Sequence, residues 1–474
     1  MPPRVWAGLA IALAAVPRAD SGPSQQHTLR LHYTPKQQQV GRYQHVPFEV
    51  PAGTTRLEIA YRYDKAGGAN VVDLGLFEPG PLDLGTPAFR GWSGGERAEI
   101  SVGTDTATPG YWPGPIPAGR WHVMLGLYKV SEAGVDLELD ITTSAGPAGP
   151  PPSLAARAQE PIRRGEAWYS GALHVHTLHS DGALAPLELA ERARREGLDF
   201  IAITDHNNTT HQLETIQVPG LLVITGEEVT TPGGHVNAWG LGGPRDVVDF
   251  RVLPGEPGLA DLMDAARRRG VLFSINHPRS ACVACSWTHD IPDAVTAMEV
   301  VNVRHEELAQ SIAVWDSLLR QGRRMVGIGT SDWHRGSAPI GAASVRVHAR
   351  DLSTNAILAA IQAGRVVVMA DAVTPPPELV LRAAGREARV GESLELRRDE
   401  RLEVEVSALG PAFDGARVDL IWRGELIASA QLPGGAPLRF ERFAQAPGYF
   451  RAHVTTADGR PLGMTNPVWV RVTP

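Results

Sequence analysis

Residues 168–177 read Trp168-Tyr169-Ser170-Gly171-Ala172-Leu173-His174-Val175-His176-Thr177, and the loop beyond runs Ser180-Asp181-Gly182. Ala172–Val175 has the length and apolar character of a strand, and it delivers a His-x-His pair at its end. Residues two apart on a strand point the same way, so both imidazoles can serve one cation. Downstream the rhythm repeats. A helix is expected over Pro186–Glu196, opened by its proline, and strands over Phe200–Thr204 and Leu221–Thr225. Leu259–Arg269 reads as a helix stopped by Gly270 and followed by strand Val271–Ile275; Glu306–Gln321 reads as a helix stopped by Gly322 and followed by strand Met325–Ile328. Alternating β and α segments predict a parallel sheet or barrel between about 165 and 375.

Side chains at the carboxyl ends of such strands meet in one crevice. The ends here carry His174 and His176, then Asp181, Asp205-His206, Glu227-Glu228, His235, Asn276-His277 and Asp332-Trp333-His334. A single strand-end histidine means little. Six motifs together place buried acids beside imidazoles at a density that only a cation relieves. Of the 16 histidines, 11 lie between residues 165 and 370, and imidazole is the commonest metal ligand.

In their order and wording these motifs resemble the PHP (polymerase and histidinol phosphatase) metal-dependent hydrolases over roughly 165–375. The flanking β segments, the Trp168-Tyr169 lead-in and an N-terminal leader are similar to the branch that includes carbamate hydrolases. Ala172 departs from the pattern, standing where many relatives place an acid; that bears on the surroundings of the ligands rather than on the ligands. The resemblance implies a distorted (β/α)7 barrel holding two or three divalent ions (Zn, Mn or Fe). It implies a first ion on His174, His176, Glu228 and Asp332, a second on Glu228, His235 and His277, and a third on Asp181, His206 and His334. Glu227 is the rival of Glu228 and is expected to face away. Six imidazoles, three carboxylates and no thiolate suit those metals. The chemistry implied is hydrolysis, a metal-bridged hydroxide attacking a phosphoester, with no separate catalytic residue assigned. A carbamate, amide or aryl ester is the alternative bond. A non-catalytic envelope binding protein with a structural metal is the rival of a different class. No P-loop string occurs.

Other side chains in the region have humbler readings. His179, His211, His289 and His305 suit loops or substrate contact. Arg279 and Arg304 suit an anionic substrate group or a structural ion pair. Cys282-Val283-Ala284-Cys285 suits a local disulfide or two free thiols rather than a zinc knuckle. Trp333 should turn away from its neighbours into the core.

Outward from this region, residues 27–144 alternate apolar and polar (Leu57, Ile59, Tyr61, Tyr63; Val135, Leu137, Leu139, Ile141), as in a β-sandwich. Gly, Pro and Ala dominate the linker at 145–164. After Pro375-Pro376-Pro377, residues 376–474 read as a second sandwich, Ig-like in size. Residues 1–22 read as a signal peptide, Arg4 preceding the apolar run Val5–Val16, so the mature chain is expected outside the cytoplasm, periplasmic or extracellular. Twelve apolar residues are too few to span a bilayer, and stable membrane insertion is not expected. With 45 Lys plus Arg against 52 Asp plus Glu, net charge -7, the chain lacks the basic surplus of a nucleic-acid binder, and the expected partner is a small-molecule substrate.

Overall fold

The computed structural model describes residues 24–154, 161–243, 245–282, 284–304, 308–433, 436–443 and 445–473. The leader read at 1–22 and His305 lie outside them. No helix among the described residues is long and apolar enough to cross a membrane.

Residues 24–144 form two four-stranded antiparallel sheets. One orders Ser24–Tyr33, Val135–Ser144, Arg56–Tyr63 and Glu99–Gly103; the other orders Tyr43–Val50, Gly119–Lys129, Val71–Phe77 and Phe89–Gly94. The period-two pattern turns one face of each inward, where Leu74, Trp121, Val123, Leu125, Leu139 and Ile141 are buried together. The sandwich is not a tethered module. Its Phe77, Phe89 and Trp92 share a core with Val229, Val236 and Phe250 of the central region.

The central sheet runs from Val326–Thr330 through Val295–Asn302, Leu272–Ile275, Gly234–Trp239, Leu222–Thr231, Phe200–Ile203, Arg163–Val175 and Ser344–Leu352 to Val366–Met369. Helix Pro186–Arg195 follows the first of these strands in the chain. It buries Leu189, Ala190 and Ala193 against Val175, Ile201 and Ile203. The strict alternation of a (β/α)7 barrel is not what these residues form. Nine strands and four α-helices lie between 163 and 369 among the described residues, and sheet dominates. Pro232 and Gly233 alone link Thr231 to its register partner Gly234, and so short a link can join only antiparallel strands. Gly234–Trp239 therefore runs against both neighbours. The sheet curls until Val175 bridges Trp333, with the His176 N–H donating to the Trp333 carbonyl at 2.9 Å. That contact draws the strand ends into one mouth.

The sheet does not stop at the triple proline. Val366–Met369 pairs with Pro461–Thr465, which continues through Gly448–Thr455 to Arg417–Trp422 and Glu425–Gln431, giving one sheet of 15 strands. Two buried polar links fasten this junction. The Asn466 side-chain amide accepts from the Gly327 N–H and donates to the Gly327 carbonyl, both at 2.7 Å. Asp316, on helix Leu308–Arg320, meets the Arg451 guanidinium at 2.5 and 3.1 Å and accepts from the Tyr449 hydroxyl at 3.0 Å. Removing one partner of such a pair strands a buried charge. Asp316→Ala is expected to lower the unfolding free energy by about 3–5 kcal/mol, read as a lower urea midpoint. A variant as stable as the parent would show that the pair does not hold the junction.

Candidate metal centre

The centre is built at the carboxyl ends of the parallel strands. Gly234–Trp239 runs the other way, so His235 near its start arrives at that same edge. Two of the turning residues adopt left-handed backbone, Asp332 at φ 48° and His277 at φ 25°. Such conformations in non-glycine residues cluster at functional sites, where the surrounding structure enforces them. Gly182 allows the Asp181 loop to close, because a Cβ there would lie 2.4 Å from the His176 carbonyl carbon.

Glu228 is the hub. Its Oε2 lies 3.2 Å from His174 Nε2, 3.3 Å from His176 Nε2 and 3.0 Å from His206 Nδ1. Its Oε1 lies 3.0 Å from His235 Nδ1 and 3.4 Å from His277 Nε2, and accepts from the Asn276 amide at 2.8 Å. Asp332 Oδ1 approaches the same two nitrogens, at 3.3 Å from His174 and 3.2 Å from His176. Nearer the mouth, Asp181 Oδ1 lies 3.2 Å from His334 Nε2, 3.7 Å from His206 Nε2 and 3.9 Å from His176 Nδ1. The nine side chains singled out in the sequence thus occupy one place. Three groups in it have donor atoms close enough to hold an ion: His174, His176, Glu228, Asp332; His206, Glu228, His235; and His176, Asp181, His206, His334. His206 and His176 are each shared between groups, and His277 stands beside the second group rather than within it.

The donor chemistry fits a cation. Glu299 Oε1 accepts from His174 Nδ1 at 2.7 Å, which orients the ring so that Nε2 faces Glu228 and Asp332. His176 Nε2 is only 3.0 Å from it. Burial would lower the His174 imidazole, yet Glu228, Asp332 and Glu299 carry it well above its ordinary value. Burial likewise opposes His176, which hydrogen bonds to Asp332 and Glu228 push up to about 9. Burial would raise the Glu228 carboxyl, and His174, His206 and His235 hold it well below the usual range. A dry pocket that still demands positive charge is one that divalent ions fill while the imidazoles stay neutral.

Two supporting acids complete the picture. Glu299, on Val295–Asn302, was not among the residues singled out. Besides His174 it accepts from the His277 N–H, the Asn302 amide and the Thr330 hydroxyl at 2.7–2.8 Å. The one signal was an acid inside the apolar run Ala297-Met298-Glu299-Val300-Val301. Asp205 accepts from the Thr177 N–H and hydroxyl and from the Ser180 hydroxyl, tying the loop after His176 to the next strand.

Glu227 faces the opposite side of its strand. It accepts from the Val248 N–H at 2.9 Å, and burial raises its carboxyl well above normal. His179 bonds Thr210 and Glu214, His211 lies 3.3 Å from Asp205, and His289 bonds Thr231, so these three serve the loops. Arg304 reaches the centre, beside His334 Nδ1 and 4.0 Å from Asp332. Arg279 is exposed and makes no ion pair among the described residues. Arg335, unremarked in the sequence, donates to the Asp181 carbonyl at 2.6 Å. Cys282 and Cys285 are joined as a disulfide. Trp333 packs under Arg192 and donates to the Ala338 carbonyl.

Residues 172–273 match the PHP domain. No curated protein sequence matches the chain. Among solved structures, the chain is similar to a two-domain protein from Bacteroides vulgatus described as containing a predicted PHP-like metal-dependent phosphoesterase. Identity is 18%, covering 67% of this chain and 99% of that one, with a TM-score of 0.37. A family two carbohydrate esterase from Cellvibrio japonicus shares 11% identity over 67% of this chain and 82% of that one, with a TM-score of 0.13.

Glu299 tests the centre without being one of the residues that could hold an ion. Glu299→Gln is expected to weaken divalent-metal affinity by about 10–100-fold, measured by competition with a chelating dye, at little change in secondary structure. Unchanged affinity would show that Glu299 does not orient His174.

Proposed function

We propose that this chain is a metal-dependent hydrolase of small molecules, with phosphoesters as its first substrate class. The convergence of His174 Nε2, His176 Nε2, Glu228 Oε2 and Asp332 Oδ1 carries this reading: the two ring nitrogens lie 3.0 Å apart and 3.2–3.3 Å from each carboxylate oxygen. The PHP match over 172–273 supports it. These four residues would hold one ion. Glu228, His235 and His206, with His277 beside them, would hold a second, and Asp181, His206, His334 and His176 a third. Zn, Mn or Fe suits such nitrogen and oxygen donors. Bound there, such ions supply Lewis-acid chemistry: they acidify water and neutralise charge developing at the attacked centre.

The chain's own groups do the rest. Glu228 and Asp332 keep negative charge in a dry pocket, and Glu299 fixes the His174 ring. Arg304, half exposed beside His334 and Asp332, offers a cation to an anionic substrate oxygen. The mouth closed by the Val175–Trp333 bridge supports reading the curled sheet as the distorted barrel of PHP hydrolases. Export is part of the proposal, supported by the leader pattern and by the Cys282–Cys285 disulfide, which suits an oxidising compartment.

A second reading keeps the ions and changes the bond to a carbamate, amide or aryl ester. The aromatic side chains Tyr43, Trp92 and Tyr128 beside the centre favour it, since they suit a neutral flat group better than a second anion. Parallel assays with p-nitrophenyl phosphate, p-nitrophenyl acetate and an aryl carbamate separate the two. In the preferred reading Asp332→Asn retains less metal and loses at least about 100-fold in kcat/KM, or about 2.7 kcal/mol of transition-state stabilisation. Purified protein without stoichiometric metal, or full activity in Asp332→Asn, would overturn the proposal.

A further inference from the structure

A cavity of about 260 Å³ opens between the N-terminal sandwich and the metal centre. One wall carries Asp181, His206 and His235; the other carries Tyr43, Asp73 and Trp92 from the sandwich. The second wall is packed against the central region. Trp92 and Tyr43 both pack on Phe250 of the central region, with ring centroids 4.9 and 5.8 Å apart. Gly110 presses close enough that a Cβ there would lie 3.0 Å from the His179 carbonyl, and its N–H donates to Thr210 at 3.1 Å.

Asp73 is the anomaly in this wall. It sits on strand Val71–Phe77 between aromatic rings, and among the described residues its carboxylate makes no hydrogen bond or ion pair. Burial pushes its carboxyl up to about 7, with Arg42 pulling the other way. Arg42 does not come within ion-pair distance; it turns to the Tyr128 carbonyl at 3.5 Å. A half-buried acid without a partner at the edge of an apolar cleft gains from a group that enters and donates to it. A protonated amine answers the geometry, since it pairs with the carboxylate and gains from the faces of Trp92 and Tyr43.

We infer that the N-terminal sandwich is the specificity wall of this hydrolase, and that Asp73 receives a protonated amine carried on a flat apolar part of the substrate, remote from the bond that is cleaved. The inference rests on the proposed function for its substrate, but its binding half can be read without turnover.

Two measurements on the metal-loaded full chain test it. Calorimetric titration with benzylamine is expected to show binding to the parent that is weakened at least about tenfold in Asp73→Asn, with metal content unchanged and Glu96→Gln within twofold of the parent. Kinetically, 4-(aminomethyl)phenyl phosphate and 4-methylphenyl phosphate are compared, with the matching acetates. The parent should favour the amine about tenfold or more in kcat/KM. Asp73→Asn should erase that preference through KM while leaving the methyl compound within about threefold. Asp73→Ser serves if Asp73→Asn folds poorly. Benzylamine that fails to bind the parent, or binds Asp73→Asn equally, overturns the inference. Binding that follows Asp73 in a chain that hydrolyses none of the esters overturns the hydrolase reading and leaves the amine site standing.

Discussion

A carboxylate with almost no access to water, surrounded by five imidazoles, is the constraint to which the rest of the structure answers. Glu228 is 1% exposed, and both its oxygens are met by ring nitrogens or the Asn276 amide. Asp332, 4% exposed, shares His174 and His176 with it. Two acids in so small a dry space repel each other and forfeit hydration, and neutral imidazoles alone do not repay that. Only positive charge makes the arrangement favourable. Protons can supply it, and so can a divalent ion, toward which the Glu299–His174 hydrogen bond aims Nε2 as in metal-ligating histidines.

The mixed sheet follows from the need to bring these groups to one edge. Parallel strands deliver residues at their carboxyl ends, and the antiparallel Gly234–Trp239 delivers His235 near its amino end. The Pro232-Gly233 turn is therefore a functional element: it brings Glu228 and His235 within 3.0 Å from adjacent strands. Closing the mouth through the His176–Trp333 hydrogen bond then sets Asp332 opposite His174. The continuous sheet into residues 417–465 and the Asp316–Arg451 link brace the far side.

What could be read in advance divides along local and non-local lines. His174-Val175-His176, Asn276-His277 and Asp332-Trp333-His334 were legible because each sits at the end of a short apolar run, and strand alternation states which side chains turn together. The helices at Pro186 and Leu259 were legible from proline and glycine punctuation. Glu299 was not, because one acid in an apolar strand has no motif; its role exists only once His174 and His277 arrive from elsewhere. The reversed strand was hidden for a similar reason: Gly234-His235 announced a ligand but not its direction.

The depth profile of the centre carries the last step. The first group lies at the bottom, with His174 and His176 fully buried, whereas the side chains of Asp181 and His206 are 30% and 24% exposed where the sandwich begins. On the proposed hydrolase reading, a substrate would present its reacting atoms inward and its remaining bulk toward Trp92, Tyr43 and Asp73. A wall hung on a flexible linker could not discriminate among such groups, because positional slack of an ångström dissipates directional contacts. The shared packing of Trp92 and Phe250 removes that slack. On that reading, recognition and reaction would be divided between two domains, which one core holds together. Loosening that core should blur selectivity before it disturbs the donor atoms, which are braced separately through Glu299 and Asp205.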